Sequence, residues 1–228
     1  CVNDNTQKHY SEKLLLMNYL PMVYPKPFTK KKLSEDELNK KNIYSCPQTL
    51  FKIHPDFDQI IFDILEKDKK GIFYLIKDSN KVWYKKLIKR LSKNKKYDSK
   101  KIIFMDPLNY EDYLLHLGRS SVLLDPIYYG AGNSFFESML FGTPSITFPS
   151  DHIKSRLVLG AYKQMEIEHP PVATSIKNYV DLAVSYANRD DISALKNTYN
   201  TAAEKKLFNT KKAGEEFNII INNLFNLT

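Results

Sequence analysis

From residue 43 to residue 149 the chain alternates short runs rich in β-branched and aromatic residues with segments whose apolar residues repeat at helical spacing. The predicted strands are residues 43–52, 71–76, 101–105, 121–125 and 145–149. The predicted helices between them are residues 57–67, 81–94, 110–119 and 133–141. Strands that alternate with helices pair in parallel through right-handed crossovers. The alternation therefore predicts an α/β fold, a Rossmann-like doubly wound parallel sheet with helices on both faces.

The two ends of the chain follow other patterns. After residue 149 only helical patterns remain, over residues 155–166, 175–188, 192–206 and 211–227. The first 42 residues contain a proline-rich stretch at 20–27 and then a lysine-rich segment, a composition typical of a connector. We therefore predict an N-terminal arm or connector over residues 1–42, and a lobe with a helical C-terminal segment over residues 43–228.

Composition limits the class of protein. The chain has 228 residues, of which 43% are hydrophobic, with 7 Gly and 2 Cys, which excludes disordered, collagen-like and disulfide-rich proteins. Its longest charge-free stretches, 14–25 and 138–150, are too short for a membrane-spanning helix, which needs about 18 residues. The start at Cys1 without a signal peptide suggests a piece of a longer protein. Two cysteines, Cys1 and Cys46, are too few for a disulfide framework and favour a reduced, cytoplasmic setting.

The chain is basic, with a net charge of +8. Residues 81–101 carry ten Lys or Arg against one acid, Asp98, but only four of the 34 basic residues are Arg. Arginine dominates base recognition and bidentate phosphate contacts, so the composition argues against a nucleic-acid partner. The segment is either a docking surface for an acidic partner or the solvated face of a helix over residues 81–94. The residues predicted to face the core from that helix are Val82, Trp83, Leu87, Ile88 and Leu91.

The fourth predicted strand leads into a glycine-containing turn. Residues 125–137 read DPIYYGAGNSFFE, which places the turn between a strand and the start of a helix. In open α/β sheets ligands bind beyond the carboxyl ends of the strands, and a helix start presents free N–H groups to an anion. Glu137, one turn into the helix, could accept hydrogen bonds from a ribose diol. The alternative is that Asn133 merely caps a helix and the glycines form a tight turn.

Four segments carry a resemblance to a known family. Residues 130–144, GAGNSFFESMLFGTP, resemble the nucleotide-sugar signature of GT-B glycosyltransferases, and more narrowly that of bacterial relatives of the O-linked N-acetylglucosamine transferase and SPINDLY family. The other three segments are residues 9–14 (HYSEKL), 46–55 (CPQTLFKIHP) and 207–210 (LFNT). They occur in the family's order across nearly the whole chain.

The resemblance implies the C-terminal catalytic lobe of a GT-B enzyme. Such an enzyme transfers a sugar, here expected to be N-acetylglucosamine, from a nucleoside diphosphate, here expected to be UDP, to Ser or Thr of a protein acceptor. The resemblance implies that the reaction inverts the anomeric centre and needs no metal. No cofactor is expected either, and UDP-GlcNAc counts as the substrate. An acceptor-binding lobe and tetratricopeptide repeats are expected upstream. The general base would come from that lobe or from the substrate, so this half alone is expected to be inactive.

The family's functional residues map onto specific positions here. Lys52 matches a lysine that contacts the donor diphosphate, where a cation would stabilise the leaving group, although it could be an ordinary surface lysine. Glu137 matches the acidic residue that binds ribose. The remaining matches, to residues that hold the phosphates or make a polar contact with the donor, are Gly132, Asn133, Ser134, Gln48 and Thr49.

Other positions depart from the family pattern. After the third strand this chain has Tyr110, Tyr113 and His116 where the animal enzymes carry basic and imidazole groups. Tyr113 could still stack on a base ring. His116 is interpreted as a histidine on a helix face rather than as a ligand. Arg156 matches an arginine at a helix start, where it either helps the site or anchors the helix.

Two other functions remain open. A GT-B-type nucleotide-sugar epimerase would share the glycine turn and the ribose carboxylate, but it would not explain the matches at residues 46–55 and 207–210. A non-catalytic interaction module would use the basic residues 81–101 to bind an acidic partner. Nucleotide titration separates this module from both enzymes.

Overall fold

A computed structural model of the chain describes residues 6–22, 24–209 and 211–225. A five-stranded parallel sheet with the order β3-β2-β1-β4-β5 lies at its centre. The strands are β1 (Ile43–Cys46), β2 (Ile72–Ile76), β3 (Ile102–Met105), β4 (Val122–Leu124) and β5 (Ser145–Ile146). Each crosses to the next through a helix, so the predicted Rossmann-like α/β fold is confirmed.

Apart from α1, which lies in the predicted connector, the helices follow the predicted order. They are α1 (Glu35–Leu38), α2 (Pro55–Lys67), α3 (Val82–Leu91), α4 (Tyr110–Arg119), α5 (Asn133–Ser138), α6 (Leu157–Met165), α7 (Ile176–Ala187), α8 (Ile192–Ala202) and α9 (Lys211–Phe225). Side chains that accept a backbone N–H begin several of them, as Asn109 does for α4 and Ser175 for α7. Within the described ranges, no helix combines the length and the apolar character needed to cross a membrane.

The interior contains two large apolar clusters. The first includes Phe57 of α2, Phe73 of β2 and Tyr179 of α7, all with no exposed surface. The second gathers residues of α5, α6 and α8, and it also includes Leu20 from the N-terminal arm, which is only 6% exposed. The arm therefore contributes to the packing of the C-terminal helices.

Several elements end earlier than predicted. β1 stops at Cys46, because Pro47 follows and has no N–H for a sheet hydrogen bond. Lys52 consequently lies on a 3-10 helical turn, Leu50–Lys52, and not on the strand. β5 ends at Ile146, and α5 ends at Ser138. The Cys46 thiol is buried, whereas Cys1 lies outside the described residues.

One predicted core face is partly wrong. Leu87 and Leu91 of α3 are buried, but Val82 and Trp83 are 45% and 42% exposed. These two residues form the first turn of α3, where the Trp83 ring contacts the Phe51 ring, with centroids 6.0 Å apart. Helical spacing predicts which side of a helix is apolar, but it does not show how far along its length the core extends.

Candidate functional site

The order of the strands creates a crevice beside β1. The chain leaves β1 toward β2 on one side, while β4 pairs with β1 on the other side. The loops that follow β1 and β4 therefore separate, as they do at the ligand-binding switch point of open α/β sheets. A cleft of about 780 Å³ lies there, within the usual size range of small-molecule sites.

The structure brings every predicted site residue to this cleft. The lining includes Gln48, Thr49, Lys52, Tyr113, Gly132, Asn133, Ser134 and Glu137. They come from the turn after β1, from α4 and from the glycine turn that leads into α5. Their common location agrees with a single binding site, while the role of each residue remains a prediction.

Lys52 directs a positive charge into the cleft. Its Nζ donates hydrogen bonds to Gln48 Oε1 at 3.0 Å and to the Gly130 carbonyl at 3.4 Å, and it lies 4.5 Å from the centre of the Tyr129 ring. The Gln48 amide in turn donates to Ser134 Oγ. Burial lowers the pKa of Lys52, and the nearby Asp125 carboxyl opposes that shift. These contacts argue against an ordinary surface lysine.

Asp125 holds the glycine turn in place through hydrogen bonds to its buried carboxylate. It is buried, and its carboxylate accepts the Ala131 N–H and, at 2.6 Å, the Thr147 hydroxyl. Burial raises the pKa of Asp125 to about 7, against the opposing effects of these hydrogen bonds and of Lys52. A Cβ on Gly130 would lie 3.0 Å from Asp125 Oδ1, so glycine allows this close approach. Sequence reasoning placed Asp125 only as the end of a strand.

Glu137 is held by two tyrosines. The Tyr113 hydroxyl donates to Glu137 Oε2 at 3.1 Å, and the Tyr24 hydroxyl donates to Oε1 at 3.0 Å. Tyr113 comes from α4, whereas Tyr24 belongs to the N-terminal arm. No local pattern pointed to Tyr24, because 113 residues separate it from Glu137.

Helix α5 begins without a side-chain cap. Its N-cap residue is Gly132, and Asn133 is the exposed first residue of the helix, as the predicted helix start implies, so the alternative in which Asn133 caps the helix is wrong. The helix has only six residues, and such a short helix contributes little dipole field. A positive potential in the cleft would therefore come mainly from the lysine side chains that line it.

A second lysine and an aromatic residue join the site, and sequence reasoning missed both. Lys154 and Tyr129 line the cleft, and Lys154 Nζ lies 5.9 Å from the centre of the Tyr129 ring. The Lys154 carbonyl also accepts the Gly130 N–H at 2.9 Å. Lys154 could have been identified from its position in the sequence. It lies in the segment that follows β5, and ligands bind near the carboxyl ends of the strands.

His116 and Arg156 have structural contacts outside the cleft lining. His116 Nε2 lies 3.0 Å from Ser45 Oγ, and its ring meets Tyr74 edge-on. Burial, followed by the Arg119 charge, lowers the pKa of His116 to about 4. The interpretation of a helix-face histidine therefore agrees with its position. Arg156 lies at the start of α6 and donates to the Ser150 carbonyl at 2.8 Å, which anchors the preceding loop.

Comparison with protein families gives one match. The family model described as glycosyl transferase family 41 matches residues 29–217, which is most of the chain. Among curated protein sequences, none matches this chain.

Solved structures share the fold. A mutant of the Thermobaculum terrenum O-GlcNAc transferase superposes with a TM-score of 0.68 at 16% identity, over 90% of this chain and 37% of that one. A mutant of S. aureus TarM, in a complex that includes UDP, gives 0.61 at 14% identity, over 94% and 41%. The pneumococcal O-GlcNAc transferase GtfA, in complex with UDP and GlcNAc, gives 0.51 at 14% identity, over 82% and 36%. The chain thus spans about two fifths of the length of these proteins.

Proposed function

Since the chain belongs to glycosyl transferase family 41, we propose that it is the donor-binding half of a glycosyltransferase. In this proposal a sugar leaves a nucleoside diphosphate bound in the cleft and is transferred to a protein hydroxyl. The observation that carries the proposal is the convergence of Lys52, Gln48, Ser134 and Glu137 on one cleft at the switch point of the sheet.

The diphosphate would lie beside Lys52. Its ammonium group has three N–H donors, and protein acceptors take two of them, so one remains for a phosphate oxygen. Lys154, whose Nζ lies 5.9 Å from the centre of the Tyr129 ring, adds a second positive charge. As the bond to the sugar breaks, negative charge develops on the leaving diphosphate, and fixed cations stabilise that charge. Catalysis by this half would consist of leaving-group stabilisation and orientation.

The nucleoside would lie beside Glu137 and Tyr113. The Glu137 carboxylate can accept hydrogen bonds from the ribose hydroxyls. Tyr113 also borders a smaller cavity of about 250 Å³, which shares Gln48 and Thr49 with the main cleft and continues toward Leu108. An aromatic ring at the junction suits stacking against a base. UDP as the nucleotide and N-acetylglucosamine as the sugar are supported by the names of two structural neighbours, which are O-GlcNAc transferases.

The remaining components of the reaction are part of the proposal. The acceptor would be Ser or Thr of a protein, with inversion at the sugar and without a metal ion. An acceptor-binding lobe and tetratricopeptide repeats, as in the SPINDLY-like relatives, would complete the enzyme. The general base would then come from that second lobe or from the substrate. A cytoplasmic setting fits the buried thiol of Cys46.

Family membership favours transfer over the other two functions. A nucleotide-sugar epimerase would share the cleft, but the matched family is one of glycosyltransferases. The interaction module would need only the basic surface around α3, and the organised cleft would then have no function. Binding of a nucleotide in the cleft separates the module from the transferase.

Calorimetric titration with UDP tests the proposal. The parent protein should bind UDP, and Lys52→Met should weaken binding about tenfold or more, the size of a hydrogen bond to a charged group. Lys85→Met, which removes the same charge from the exposed side of α3, should leave the affinity unchanged. Absence of UDP binding at millimolar concentration would overturn the proposal. Equal binding by parent and Lys52→Met would remove this lysine from the site.

A further inference from the structure

The N-terminal arm is fixed to the lobe on both sides of Tyr24. Before it, Leu20 is buried, and its backbone N–H donates to Gln164 Oε1 of α6 at 2.8 Å. After it, the Thr29 hydroxyl donates to Glu111 Oε1 of α4 at 2.8 Å. The match to the family model begins at residue 29 and so does not include Tyr24. The contacts nevertheless hold Tyr24 in a defined place.

Tyr24 contacts two consecutive residues of α5. Its ring stacks on Phe136, with centroids 4.9 Å apart and planes inclined by 19°, and its hydroxyl donates to Glu137 Oε1 at 3.0 Å. Phe136 is almost fully buried, so the stacked ring rests on a rigid surface. The Tyr113 hydroxyl binds the other carboxylate oxygen at 3.1 Å. Glu137 is therefore held at both oxygens.

This arrangement leaves part of the carboxylate available. An ionised carboxylate offers about four acceptor positions, two on each oxygen, and Tyr24 and Tyr113 use one on each. The Tyr110 hydroxyl also interacts with Glu137 and with Tyr24. Glu137 and Tyr113 line the cleft, whereas Tyr24 is not among the lining residues. A ligand in the cleft can thus approach Glu137 without displacing Tyr24. Burial and the Glu137 charge both raise the pKa of Tyr24, so its hydroxyl remains a donor at neutral pH.

We propose that Tyr24 is a positioning residue of the donor site, through which the N-terminal arm orients Glu137 toward the ribose diol. The inference rests on the proposed function. Without the Tyr24 hydroxyl, Glu137 Oε1 would lose this hydrogen bond while Oε2 kept that of Tyr113, and the side chain would spend part of its time in other rotamers. Each ribose hydroxyl would then meet a less ordered acceptor, and the affinity for a nucleotide would fall.

Titration of Tyr24→Phe with two nucleotides tests this role. The substitution keeps the ring on Phe136 and removes only the hydroxyl. We expect the affinity for UDP to fall about three- to tenfold, less than for the loss of a direct hydrogen bond to a charged group, because Tyr24 acts through Glu137. The affinity for 2′,3′-dideoxyuridine diphosphate, which has no ribose hydroxyls, should not change. Tyr10→Phe, on the same arm, is the control and should bind both nucleotides as the parent does.

Each other outcome has a distinct meaning. If the parent binds UDP and Tyr24→Phe binds it equally well, the positioning role is overturned while the proposed function stands. Tighter binding by Tyr24→Phe would identify the hydroxyl as a competitor of ribose and would also overturn the inference. Equal losses for both nucleotides would indicate general damage to the cleft and exclude a role directed at ribose. Failure of the parent to bind UDP would overturn the inference together with the proposed function.

Discussion

At the scale of single residues, the unusual feature of the cleft is a carboxylate close to a site that should bind phosphates. Glu137 and Lys52 line the same cleft, and an unengaged negative charge there would repel a diphosphate. Two tyrosine hydroxyls and the expected ribose hydroxyls engage that charge instead. Lys52 would thus bind the diphosphate of the nucleotide, and Glu137 would bind its ribose.

Replacement of Glu137 by Gln should weaken the binding of a nucleotide. We expect Glu137→Gln to reduce the affinity for UDP by about 1 to 3 kcal/mol, because the ribose hydroxyls lose a charged acceptor. A merely structural glutamate near a helix start would contribute only a few tenths of a kcal/mol to folding stability and nothing to affinity. Calorimetric titration of the variant, with Glu66→Gln on the surface as a control, distinguishes these cases. Unchanged affinity in a folded Glu137→Gln protein would remove this residue from the site.

At the scale of secondary-structure elements, a buried lysine connects three helices. Lys196 of α8 is 1% exposed, and its Nζ donates to the Leu38 carbonyl of α1 at 3.0 Å and to the Gly118 carbonyl of α4 at 2.7 Å. Gly142 has a φ of 67°, and a Cβ there would lie 1.8 Å from the Lys196 carbonyl. The turn before β5 therefore packs directly on α8.

The burial of Lys196 should make stability depend on pH. Burial lowers its pKa from 10.5 to about 7, so between these values the unfolded chain binds more protons than the folded chain. The contribution of this group to the free energy of unfolding therefore rises with pH from about 7 to 10.5, by at most about 1.4 kcal/mol per pH unit. It is lost progressively as the pH falls from 10.5 to about 7, and below that range the group no longer makes stability depend on pH. Lys196→Met should flatten this part of the profile.

Urea unfolding of parent and variant at pH 7, 8 and 9 measures the difference. Because all other groups titrate in both proteins, subtraction of the two profiles isolates Lys196. Lys205→Met, at an exposed position just after α8, should keep the slope of the parent. Parallel profiles for the parent and Lys196→Met would show that this amine does not lose its proton in the folded protein.

At the scale of the whole molecule, binding in the cleft should stabilise the fold. A ligand that binds only the folded state adds RT ln(1 + [L]/Kd), or about 2.7 kcal/mol at a hundredfold excess over Kd. For a chain of 228 residues this corresponds to a rise in the melting temperature of about 5 to 11 °C. UDP should produce this rise, and uridine, which has no phosphates for Lys52, should produce much less. A melting temperature unchanged by millimolar UDP would contradict a donor site.

The amino-acid sequence by itself determined the order and type of the elements and the segments that carry the site. Apolar periodicity is a local property, so it located α4 at residues 110–119 and four of the five strands to within three residues, whereas β1 ends six residues earlier than predicted. Sheet geometry pointed to the turn after residue 125, because ligands bind at the carboxyl ends of parallel strands. The individual site residues were assigned from the resemblance of residues 46–55 and 130–144 to a glycosyltransferase family, and all eight line one cleft.

Only the tertiary structure decided which distant groups meet. The strand order, which opens the crevice beside β1, depends on how helices pack on both faces of the sheet. Three such contacts join segments that are far apart in the chain. They are the hydrogen bond of Tyr24 to Glu137, the approach of Lys154 to Tyr129, and the contacts of the buried Lys196. A local pattern does not encode such contacts, since they arise when apolar faces of separate elements are buried together. The exposure of Trp83 has the same origin, because packing limits how much of an apolar face the core covers.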